Sequence, residues 1–175
     1  FLGNKAFLYF NGDHNDLQRQ VREGVASVYI DHMLYGSSVQ EVVQNAVLLN
    51  LPAWFKQGLV AYIGESWNTE VDDQLRQLMD SGRYDDFRNL AEDYPRLAGH
   101  AFWYYVSEAF GETTVGSLLY LTRIHRSVDN GFLFALGSPY RSVLGNWSEF
   151  FRNRYDQDLQ ERLATTDLQQ VEIKN

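Results

Sequence analysis

With 175 residues, 45% of them hydrophobic and 15% aromatic, the chain has enough apolar material for one domain with a substantial core and little room for disorder. Its 15 basic and 23 acidic residues leave a net charge of −8, which opposes binding to nucleic-acid phosphates and to anionic membrane surfaces, and no basic cluster overrides it. The absence of cysteine excludes disulfides and thiolate metal sites, and no apolar run approaches the length of a membrane span.

Lys5-Ala6-Phe7-Leu8-Tyr9-Phe10, rich in aromatics and closed by the turn dipeptide Asn11-Gly12, reads as a short strand. A helix follows from near Asp13 to Gly36, with Leu17, Val21, Val25, Val28 and His32 or Met33 at helical spacing as its expected apolar face. Ser38 and Glu41 are placed for a capping box at the head of a second helix running to Asn50, and Pro52 opens a third that ends at Gly64. Further helices are expected at Thr69–Asp80, about Asp85–Glu92, Ala98–Phe110 and Thr113–His125. Glycines and a proline break residues 129–145 into short pieces, Trp147–Leu163 reads as a last amphipathic helix, and residues 166–175 as a polar tail. The expectation is a single, mainly α-helical domain over residues 1–165 with a small β remnant at its N-terminus.

The segment Leu51-Pro52-Ala53-Trp54-Phe55-Lys56-Gln57-Gly58-Leu59-Val60-Ala61-Tyr62 resembles the Leu-Pro-x-Trp-x-x-Glu-Gly-Leu-Ala-x-Tyr helix of gluzincin zinc peptidases. In that family the glutamate of this helix is the third zinc ligand, and Gln57 stands in its place. The first two ligands are the histidines of an HExxH helix, where this chain has Arg22-Glu23-Gly24-Val25-Ala26. Ala98-Gly99-His100-Ala101-Phe102-Trp103-Tyr104-Tyr105 is similar to an aromatic helix on the far side of the gluzincin cleft, and the likeness spans roughly residues 5–125.

That resemblance implies the helical half of a gluzincin fold whose metal site has been dismantled. A catalytic zinc needs three competent ligands and one open position. The arginine at position 22 has no lone pair to give, Ala26 has no donor atom, and the Gln57 amide is a poor ligand for a dication. No metal and no cofactor are expected, and only Glu23, at the general-base position, survives. A base without a metal-bound water supplies little of the peptidase mechanism. Glu23 is therefore expected to pair with Arg22, Lys56 or Gln57, with the Arg22 guanidinium filling the space of the zinc. Trp54, Tyr62, His100, Tyr104 and Tyr105 complete the candidate cleft.

Other chemistries find less support. The four histidines, His14, His32, His100 and His125, include no pair at i,i+4, and no serine sits in a Gly-x-Ser-x-Gly elbow. The expected role is a non-catalytic pseudopeptidase domain that binds protein or peptide, or scaffolds an assembly. The Gly58-Leu59-x-x-Tyr62 and Ala98-Gly99-His100-x-x-Trp103 blocks also look like those of the domain that precedes Tol-type β-propellers in bacterial envelope proteins. That likeness implies an extracytoplasmic setting and a larger parent chain, of which this sequence is expected to be a piece. Two alternatives stay open: an active hydrolase, such as a metallopeptidase with shifted ligands, and an unrelated helical interaction module.

Overall fold

The computed structural model describes residues 7–168, which form nine helices and no strand. The expected strand begins outside the described residues. Of it, residues 7–10 are described, carry no strand pairing, and are tied down at Tyr9, whose backbone exchanges hydrogen bonds of 3.0 and 2.9 Å with the Gln20 amide.

Helix α1, His14–Tyr35, starts where Asp13 accepts from the Asn15 backbone N–H and stops at Gly36, whose φ of +94° is costly for any residue with a Cβ. Its buried face is not the expected one. Ala26, Ile30 and Leu34 turn inward, while Val21, Val25 and Val28 are solvent-exposed. The helix is apolar on two sides, and the side bearing the small Ala26 allows the closest approach to its neighbours α3 and α7. The Ser38–Glu41 capping box forms and launches α2, Val39–Leu48, two residues shorter than the sequence suggests. Asn45 anchors α2 by donating to the Tyr35 carbonyl at 3.0 Å.

Helices α3, Ala53–Gly64, and α6, Pro95–Phe110, form the central pair. They cross with backbones touching. A Cβ placed on Gly58 would lie 2.7 Å from the His100 amide nitrogen and well inside contact with the Gly99 backbone. One on Gly99 would lie 2.6 Å from the Gly58 Cα. Around this crossing the aromatic side chains of Trp54, Phe55, Phe87, Phe102, Trp103 and Trp147 pack edge to face, and Trp103 Nε1 donates to the Phe55 carbonyl at 2.9 Å. Burying each such ring stabilises the fold by roughly 1.5–3 kcal/mol.

Helices α4, Thr69–Asp80, and α7, Thr113–His125, match their expected bounds, and α5 covers Phe87–Asp93. Pro95 opens α6 at its first position, three residues before the expected start, where its missing N–H costs nothing. The stretch expected to be broken holds α8, Val128–Leu136, and the first turns of α9, Tyr140–Leu168. The final helix thus begins at Tyr140 rather than Trp147. Gly145 lies inside it at an exposed position, between the fully buried Val143 and Trp147. Of the expected tail, residues 166–168 belong to α9 and the remainder lies outside the described residues.

Helix α9 returns along α4 and α5. Its Arg154 donates to the Tyr104 hydroxyl at 2.7 Å, Ser148 to the Asp85 carbonyl at 2.9 Å, and Asp158 pairs with Arg76 of α4.

Candidate functional site

Residues of α1, α3, α4 and α6 line a cleft of about 390 Å³ that includes Gln57. Gln57, Arg19, Glu65, Gln74, Arg96 and His100 are among the residues lining it. Glu23 is not among the lining residues and meets the cleft only through two of them. Its Oε1 accepts from Arg96 Nη2 at 2.7 Å and from Arg19 Nη1 at 3.2 Å, and Gly64 leaves the space that its stem occupies. Arg19 also pairs with Asp16, and that hydrogen bond is the largest influence holding the guanidinium charged and the Asp16 carboxyl below its usual range.

The expected role of Arg22 is corrected by this geometry. Its Nε donates to the Gly64 carbonyl at 2.7 Å, and the residue is largely exposed. Gly64 is the last residue of α3, so this cation caps an orphan carbonyl at the negative end of a helix. The cations that meet Glu23 are Arg19, one turn before it, and Arg96, far along the chain. Lys56, a further expected partner, pairs with Asp31 instead. Ala26 is buried where α1 packs on the core, and Gln57 is an exposed amide.

His100 is the one histidine held inside, at 3% exposure. Its ring meets Trp67 edge to face at 5.3 Å and Tyr62 at 6.3 Å, and its Nε2 finds no hydrogen-bond partner among the described residues. Burial pushes its pKa down to about 4, against the pull of Glu65, so the imidazole is neutral at pH 7.

The remaining aromatic candidates divide. Tyr62 and Tyr104 line a second groove with Trp67, which stacks on Tyr104 at 4.7 Å. Trp54 and Tyr105 are core residues, buried against Phe102 and, for Tyr105, against Phe150. A tryptophan or tyrosine at helical spacing reads the same from sequence whether it faces a core or a cleft. Arg19, Arg96 and Glu65 were not legible as site residues, because nothing local in the sequence marks them.

Among the described residues, no group of three or more His, Asp and Glu gathers in a way that could hold a metal ion. No helix among them is long and apolar enough to cross a membrane.

No family model, no curated protein and no solved structure matches this chain. The likeness to gluzincins therefore stands on its motif residues alone.

Proposed function

We propose that this chain is a non-catalytic, pseudopeptidase-like domain that holds a protein or peptide segment, and that its parent is a larger extracytoplasmic protein. The single observation that carries the reading is the fate of Glu23. At the position where the resembled family keeps a free base beside a metal-bound water, this carboxylate accepts from two guanidinium groups, Arg96 and Arg19. Both contacts engage this oxygen within the fold, tying α1 to α6 through Arg96 and to the preceding turn through Arg19, where the family's base serves a water. The other motif positions support the same reading: an arginine engaged at a helix end, an alanine in the core, and an exposed amide. The envelope setting and larger parent rest on the likeness of the Gly58–Tyr62 and Ala98–Trp103 blocks.

The test pairs two measurements on the purified chain. Zinc is titrated calorimetrically, and the turnover of a quenched fluorescent casein is followed with and without zinc. The proposal expects no stoichiometric zinc uptake and no hydrolysis. Uptake of one zinc together with hydrolysis abolished by Glu23→Gln would instead establish the active-peptidase alternative.

A further inference from the structure

Trp67, whose ring meets His100 edge-on, also lines a second groove of about 600 Å³ between the end of α3 and the α6–α7 turn. Its lining combines aromatic and apolar side chains, among them Tyr62, Trp67, Tyr104 and Met33, with the carboxylates of Glu108 and Glu112. None of the described residues lining it is a lysine or arginine. Both glutamates are exposed, and neither takes part in an ion pair among the described residues. The contrast with the neighbouring cleft is chemical. There each acid is matched by a guanidinium or an amide, whereas here the two carboxylates have no ion-pair partner among the described residues, and the one cation on a lining ring, Arg154, lies over Tyr104 at 5.6 Å and donates to its hydroxyl.

We infer that this groove docks a lysine or arginine side chain of a partner polypeptide. Such a side chain has two parts that match these two kinds of lining. Its aliphatic stem covers apolar surface while its head stays at the polar rim, and a cation beside aromatic rings gains from their negative faces. Carboxylates at the rim add the charge complementarity that distinguishes a basic partner from an acidic or neutral one. The Glu23 cleft plays no part in this, so the two sites are separable by experiment.

The probes are three blocked tripeptides, acetyl-Gly-Arg-Gly-amide, acetyl-Gly-Lys-Gly-amide and acetyl-Gly-Glu-Gly-amide. Each is titrated at low salt into the full ¹⁵N-labelled chain. The arginine and lysine peptides are expected to shift the Trp67 indole and the backbone signals of Tyr62, Glu108 and Val115, and the glutamate peptide to leave them in place. The double variant Glu108→Gln/Glu112→Gln should weaken binding roughly 3- to 10-fold, the range of two exposed charge contacts. The control Glu149→Gln/Asp156→Asn removes as much charge from exposed positions of α9 and should change Kd by less than about twofold. Equal weakening by the control would show attraction by bulk charge and overturn the inference. So would shifts confined to Arg19, Gln57 and Arg96, equal shifts with the glutamate peptide, or no shift at tens of millimolar peptide.

Discussion

Lowering the pH should act on this fold through His100. The imidazole is buried beneath Trp67 and Tyr62, and the charged groups around it are Glu65, Arg96 and Glu23. Its pKa in the fold is about 4, against an ordinary value of 6.5. Above pH 6.5 neither state binds the proton and the residue is neutral in the balance. Between 6.5 and 4 the unfolded chain takes up a proton that the folded chain refuses, so stability falls as pH falls. The loss is about 2 kcal/mol by pH 5 and approaches ~3 kcal/mol near pH 4, at 1.36 kcal/mol for each unit between the two pKa values. Urea melts at pH 8 and pH 5 on the parent and on His100→Phe measure it, because the substitution removes this titration and leaves the carboxylates in common. The parent should lose about 2 kcal/mol more than the variant between the two pH values. Equal losses would refute the reasoning and mean that the imidazole accepts its proton within the fold.

Gly58→Ala should destabilise the fold by about 2–4 kcal/mol despite alanine's better helix propensity, because α3 and α6 must separate to admit the methyl group; urea midpoints read it. Arg96→Met should cost only about 0.5–1 kcal/mol, since the guanidinium is partly exposed and Arg19 still reaches Glu23; a loss above 3 kcal/mol would mean that Glu23 depends on Arg96 alone. Ser38→Ala removes one arm of the capping box on α2 and should lower stability by ~1 kcal/mol, with faster amide hydrogen exchange at Glu41 as its local signature.

Local grammar made the helices legible and left their mutual placement hidden. Asp13, Ser38 and Gly111 mark helix ends through interactions within a few residues, and the helices near them lie close to where the sequence put them. The inward face of α1 was not legible. Val21-Val25-Val28 and Ala26-Ile30-Leu34 are both apolar stripes, and only the packing of α3 and α7 selects the second. The Glu23 partner failed for a related reason. Arg22 is its sequence neighbour, but successive residues on a helix point about 100° apart. Arg96, which does meet it, is 73 residues away. Gln57 and His100 line one cleft, because Gln57-Gly58 and Gly99-His100 flank the crossing at which the central helices touch, whereas Glu23 reaches that cleft only through Arg19 and Arg96.

The return of α9 along α4 has a consequence for the order in which the chain assembles. Helix α4 buries Leu75 and Met79, yet its polar ties run largely to α9: Arg76 to Asp158, and the Asp72 carbonyl to the Tyr155 hydroxyl. These links span 82 and 83 residues. On the ribosome, at roughly 5–20 residues per second, α4 therefore waits several seconds for its counterpart. The α3–α6 crossing closes earlier, over a shorter loop whose lower closure entropy favours it. Helix α4, with the Trp67 loop leading into it, is then the last wall to set, and a nascent chain without α9 would present that unfinished wall to chaperones.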